Sequence, residues 1–219
     1  ALSITDVVLS TADGYVIPSE ASATPVTLTL SPAVLNITKV PNVGYCDLAS
    51  AVLAASAGDT LQLQADITIP TMVKVTKALT LDLNGKTATV AAGKTALSVD
   101  TEAGAIGALI ITDSTTGGLG KITGGARAVQ VLNGASLVLN KGTLDGTTSD
   151  GVFVKTGSSV TVNGGTVTGL YFAIAGNGSA GQGGTTINIT GGSLSSQYTA
   201  IYHPQAGTLN ISGDAAISG

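Results

Sequence analysis

Few residues in this chain could do chemistry, and their spacing decides which chemistry to consider. In 219 residues there are one arginine, Arg127, one histidine, His203, one cysteine, Cys46, and thirteen acidic side chains. Removing the proton beside a uronate carboxylate requires a strong base, arginine or lysine, next to carboxylates that hold calcium. Arg127 has no cluster of aspartates near it in the repeat register. Hydrolysing a glycosidic bond requires two or three converging carboxylates. Asp145 and Asp150 are close in sequence, but they flank Gly-Thr-Thr-Ser, a turn composition in which aspartate bonds nearby backbone. His203 precedes Pro204 and has no local acid, so neither a triad nor a metal cage is expected from it. No catalytic residue, cofactor site or metal site is assigned.

What remains is a candidate ligand surface of Tyr171, Tyr198, Tyr202 and His203. Tyrosine faces offer a stacking platform for sugar rings; the alternative is that these side chains merely cover loops. Cys46 cannot form an intramolecular disulfide, and with Leu48 two residues away it is read as partly buried. Gly176-Asn-Gly-Ser-Ala-Gly-Gln-Gly-Gly184 has the composition of a phosphate loop, but no Gly-Lys-Ser/Thr follows, so a surface loop is expected. Regular Thr-x-Thr arrays would suit ice binding, but the irregular spacing of the repeats is expected to break the register such a flat face needs.

The elements that must position these residues come from an internal repeat. Ser136-Leu-Val-Leu-Asn140 followed by Lys-Gly-Thr-Leu-Asp-Gly146 returns as Ser159-Val-Thr-Val-Asn163 followed by Gly-Gly-Thr-Val-Thr-Gly169, 23 residues on. Thr186-Ile-Asn-Ile-Thr190 and Thr208-Leu-Asn-Ile-Ser212 extend it by steps of 27 and 22. Such a period marks a solenoid in which one copy is one turn and no copy buries its apolar face alone. Leu137/Leu139, Val160/Val162, Ile187/Ile189 and Leu209/Ile211 alternate with polar residues, so each copy supplies a strand with one buried face. Asn140 and Asn163 occupy equivalent places and predict an internal asparagine ladder. A second strand set at Ala128–Val131, Gly151–Val154, Phe172–Ala175 and Thr199–Tyr202, and a third beginning at Thr143, Thr166 and Ser193, predict a triangular cross-section. Anchors near Gln64, Asn84, Asp113, Asn140, Asn163, Thr190 and Ser212 predict seven turns, roughly 30 Å of solenoid at ~4.8 Å per turn.

Before the repeat, residues 47–57 form the one expected helix: Asp47 caps it, Leu48, Val52 and Ala55 share a face, and Gly58 stops it. It is read as a lid on the first turn. Residues 1–42 are divided by Pro18, Pro25, Pro32 and Pro41 into extended pieces, with strands at Val26–Leu30 and Val34–Val40. They are an appendage, either a flap on the solenoid or an arm docking to something larger; 43–219 form the solenoid domain.

Composition agrees. Thirty glycines, 43% hydrophobic residues and 3% aromatics describe stacked layers of small and β-branched side chains between tight turns. Apolar runs such as Ala51–Ala55 are far shorter than the roughly 18 residues of a spanning helix, so no membrane insertion is expected. A net charge of −4 with dispersed lysines argues against nucleic acid. Ala1-Leu-Ser-Ile-Thr-Asp6 carries neither the basic nor the apolar region of a signal peptide; either one has been removed or an initiator methionine was lost.

From Tyr45 to Thr87 the order of short helix, Gly58-Asp59-Thr60, alternating strand and Leu79-Thr-Leu-Asp-Leu-Asn-Gly-Lys86 resembles the opening of pectate-lyase-like right-handed parallel β-helix modules. The resemblance covers residues 45–219. Such modules occur in phage head-fibre and tail proteins and in Gram-positive surface proteins. It implies an all-β, right-handed parallel β-helix with a non-enzymatic structural or attachment role outside the cell. The setting expected first is a virion exterior, as a decoration, head-fibre or tail protein; the alternative is a carbohydrate-binding or adhesive domain on a bacterial surface, and a polysaccharide lyase or hydrolase comes third. The chain stops at Asp214-Ala-Ala-Ile-Ser-Gly219 inside its repeat, so the expected partners are other copies or a larger assembly, met through residues 1–42 and the open last turn, together with surface glycans.

Overall fold

The computed structural model describes residues 31–219 together with an antiparallel pair, Tyr15–Val16 against Thr29–Leu30. The strand expected at Val26–Leu30 lies outside the described residues except for its last two. From Asp59 onward the chain winds as a parallel β-solenoid with three faces. The first face stacks Asp59–Leu63, Ala78–Asp82, Ala108–Thr112, Ser136–Leu139, Ser159–Val162, Thr185–Ile189 and Gly207–Ile211. The second stacks Ile67–Ile69, Thr87–Val90, Lys121–Gly124, Thr143–Gly146, Thr166–Gly169, Ser193–Ser196 and Ala216–Ser218. The third stacks Val73–Val75, Thr95–Val99, Arg127–Val131, Asp150–Val154, Phe172–Ala175 and Thr199–Tyr202. Seven strands on each of the first two faces make seven turns, as the repeat count predicts.

The core is a set of columns. Leu61, Leu81, Ile111, Leu139, Val162, Ile189 and Ile211 succeed one another in register on the first face. Ala88, Ile122, Leu144, Val167, Leu194 and Ile217 do the same on the second. Each turn buries its inward residues against the turns above and below, so stability spreads along the axis. The last turn leaves Leu209, Ile211 and Ile217 in water.

At the other end the helix is shorter than expected, Leu48–Ala54. Asp47 caps it as predicted, its Oδ1 accepting from the Ser50 N–H at 2.7 Å. It ends before Gly58, since Ala55 is already extended, and the Lys77 ammonium donates to the freed carbonyls of Val52, Leu53 and Ala55 at 3.2, 3.2 and 2.8 Å. A cation on those orphan carbonyls also suits the helix dipole. Leu48 and Val52 share a gap of about 10 Å³ with Leu61, Val75, Leu79, Leu81, Leu97 and Leu109, so the helix covers the first turn. The strand expected over Val34–Val40 is confined to Val34–Asn36, which joins the first face antiparallel to Asp59–Leu63, with Val43–Tyr45 outside it. Cys46 is exposed rather than partly buried, because it sits in the bend between Val43–Tyr45 and the cap, off the helix's apolar stripe.

Buried carboxylates pin the irregular segments. Asp113 is 2% exposed and accepts hydrogen bonds from the Thr115 N–H (2.8 Å) and hydroxyl and from the N–H groups of Gly120 and Gly85, which ties the excursion after Asp113 to the turn below. Burial pushes its pKa up, but these donors outweigh that and hold it below the ordinary carboxylate value. Asp59, bonded by the Ser56 N–H, Asn36 and Lys39, is lowered too. A carboxylate whose folded pKa lies below its unfolded value of about 3.9 stabilises fully above that value and loses the contribution as pH falls through the folded one. We therefore expect melting temperature to be level from pH 7 to 5 and to drop below about pH 4. The drop should shrink in Asp113→Asn, which melts lower at neutral pH by the equivalent of about 1–3 kcal/mol. An acid limb identical in the two proteins would contradict this assignment.

Candidate functional site

The third face gathers the aromatics. Of five tyrosines and two phenylalanines in the chain, all but Tyr15 and Tyr45 lie on its strands or at the corner leading into them, across three consecutive turns. Phe153 projects outward from a strand whose Val152 and Val154 point into the core, the consequence of period-2 alternation. Phe172 opens the next strand, with Tyr171 just before it at the corner. Thr199–Tyr202 ends in Tyr202, with Tyr198 in the place of Tyr171 one turn on.

Parallel stacking turns these positions into contacts. The Tyr171 and Tyr198 rings lie 5.4 Å apart, tilted by 36°. Phe172 and Tyr202 stack at 4.8 Å and 18°. Tyr171, Tyr198 and Tyr202 remain 44%, 64% and 45% exposed, so these rings support one another without being buried. Below them, the Arg127 guanidinium lies 4.4 Å from the centre of the Phe153 ring, and its Nε donates to Asp150 Oδ2 at 3.0 Å.

Of the residues singled out from sequence, the structure brings Tyr171 and Tyr198 together and places Tyr202 on the same face. His203 departs: its Nε2 lies 3.1 Å from Thr185 Oγ1, which also accepts from Gln205 Nε2 at 3.0 Å, so the imidazole belongs to the corner leading back to the first face. Phe153 and Phe172 are not among the residues read from sequence, and Arg127 and Asp150 figure there only as catalytic candidates rather than as part of a ligand surface. The signals were present, since 150 − 127 equals the 23-residue period and Phe153 is the outward residue of Val-Phe-Val.

Asp145 and Asp150 do not converge. Asp150 is buried against Arg127 rather than bonded to a turn, because the register sets Arg127 beside it on the neighbouring strand. Asp145 points outward on the second face, accepting from Thr123 Oγ1 and Thr168 Oγ1, both at 2.7 Å. The same face corrects the expectation about register. Thr87, Lys121, Thr143, Thr166 and Ser193 align strand by strand despite uneven repeat lengths, because the extra residues leave at corners, as at 114–120 and 176–184. Two of its hydroxyls are committed to Asp145, so it is not a free lattice. The asparagine ladder exists, Asn163 Nδ2 donating to Asn140 Oδ1 and Thr190 Oγ1 to Asn163 Oδ1, both at 2.9 Å, but it is exposed rather than internal. With Leu139 and Val162 pointing in, the next residue points out.

The Gly176–Gly184 stretch, with Pro204, Gln205 and Ala206, borders an open groove of about 440 Å³. Among the described residues no three His, Cys, Asp or Glu side chains come together as metal ligands, and no helix is long and apolar enough to cross a membrane. Comparison with family models, curated proteins and solved structures finds no significant match to this chain.

Proposed function

We propose that this chain is a non-catalytic attachment module on the exterior of a larger assembly, and that it holds glycans on its third face. The pectate-lyase-like resemblance of residues 45–87 puts a virion exterior first among the settings, with a bacterial surface as the alternative. One observation carries the reading: a chain with 3% aromatic residues concentrates Phe153, Tyr171, Phe172, Tyr198 and Tyr202 on one exposed face of a rigid stack. Rings that core packing does not need, and that water would rather not meet, are the usual furniture of a binding surface. The lyase and hydrolase readings lose support from the same geometry, since Arg127 is held by Asp150 and Asp145 by two threonines.

Retention on a panel of immobilised polysaccharides tests this. The protein should bind at least one polymer without generating reducing ends or unsaturated products. Tyr171→Ala and Tyr198→Ala should each weaken binding about tenfold, ~1.4 kcal/mol, with unchanged melting. Binding indifferent to both substitutions, or bond cleavage abolished by Arg127→Ala, would overturn the proposal.

A further inference from the structure

We infer that the third face selects uncharged glycans over acidic ones, with Arg127 acting as a hydrogen-bond donor whose charge is already cancelled; the inference rests on the glycan reading of the aromatic face. The only guanidinium in the chain stands at the lower edge of the aromatic patch, where a uronate or phosphate group would ordinarily be captured by a bidentate pair. Here that charge is spoken for. Asp150 lies beside Arg127 on the adjoining strand, its side chain 5% exposed, and its Oδ2 takes the Nε hydrogen at 3.0 Å. A carboxylate so buried is stable only with its partner in place, so the pair behaves as a neutral unit.

The guanidinium is also fixed in position. It packs over the Phe153 ring at 4.4 Å while its side chain stays 30% exposed. Its terminal N–H groups meet no acceptor among the described residues, so they remain directed donors. Such donors suit hydroxyl and ring oxygens, which need no net charge opposite them. Lys121, the lysine nearest to Arg127 in sequence, stands on the second face, and Lys74, on the third face two strands below Arg127, is held by Asp100 and Glu102 at 3.6 and 3.1 Å. The chain's net charge of −4 further repels a polyanion. From Arg127 to Tyr202 the surface spans three strand spacings, about 14 Å, the scale of a short oligosaccharide.

The test compares neutral homopolysaccharides with a polyuronate by affinity electrophoresis, at low and at 500 mM salt. The protein should bind a neutral polymer at least tenfold more tightly than the polyuronate, and salt should change that affinity less than twofold, since no ion pair to the ligand is formed. Asp150→Asn removes the internal counter-charge and should raise polyuronate affinity severalfold in a salt-sensitive way. Should that variant fail to fold, the salt series on the unaltered protein decides alone. Preference for the polyuronate that collapses with salt, yet is still lost in Tyr198→Ala, would overturn the neutral-ligand inference and leave the glycan reading standing. Binding to neither polymer, or binding that Tyr171→Ala and Tyr198→Ala leave untouched, would overturn both.

Discussion

Val162→Asp should abolish the cooperative thermal transition, whereas Thr161→Asp, one residue away, should shift it by no more than a few degrees. Val162 is 0% exposed and lies in register between Leu139 below and Ile189 above, so a carboxylate there has neither water nor a partner. An unpaired buried charge costs several kcal/mol, a large share of the 5–15 kcal/mol that holds a typical domain together. Loss at one turn also removes the surface on which both neighbours pack, so the damage propagates along the stack. Thr161 faces outward between Val138 and Asn188, and surface changes usually stay within about 0.5 kcal/mol. Circular dichroism melts of the two variants give the measurement. Equal melting temperatures would mean that the inward register is wrong.

That register could be read without coordinates because it depends only on local rules. Alternation decides which side chain points in, and a period of about 23 decides what lies above it, so the columns through Leu139 and Val162 follow from the chain alone. Quantities fixed by distant partners could not be read in this way. The helix ends at Ala54, and its last carbonyls are satisfied by Lys77, far along the chain. Cys46 is exposed because Val43–Tyr45 attaches as an antiparallel edge, a pairing that the parallel repeat does not suggest.

The candidate site was half legible for the same reason. The tyrosines at 171, 198 and 202 stand out as rare side chains, but their partners emerge only when the turns are stacked. Arg127 and Asp150 read separately as a lone base and a turn residue; one strand spacing makes them an ion pair with only the carboxylate buried. On the second face the unequal repeat lengths predict lost alignment, whereas the strands stay aligned. Loops leaving at the corners absorb the difference, and the strands between them keep their register.

Gly169→Ala should cost upward of about 2 kcal/mol and should remove ligand binding together with stability. A Cβ at Gly169 would stand 1.9 Å from the Phe172 carbonyl oxygen and 2.8 Å from the Gly151 nitrogen. Gly146, its counterpart one turn below, is equally closed, with Asp150 O at 1.8 Å. At this corner the chain passes from the second face to the third within Leu170 and Tyr171, whose N–H groups are bonded to Gly146 O and Ser149 O at 3.1 and 2.9 Å. The obstruction is backbone rather than the end of a flexible side chain, so relief requires moving the Phe172 strand itself. That strand carries one member of each ring pair, or stands next to it: Phe172 under Tyr202, and Tyr171 against Tyr198. For a chain of this size 2 kcal/mol corresponds to a melting shift of about 4–8 °C. Gly117→Ala is the control, because its added methyl meets only the side chain of Leu119, which is 78% exposed and free to give way. If both alanine variants melt together and bind alike, the corner does not position the aromatic face.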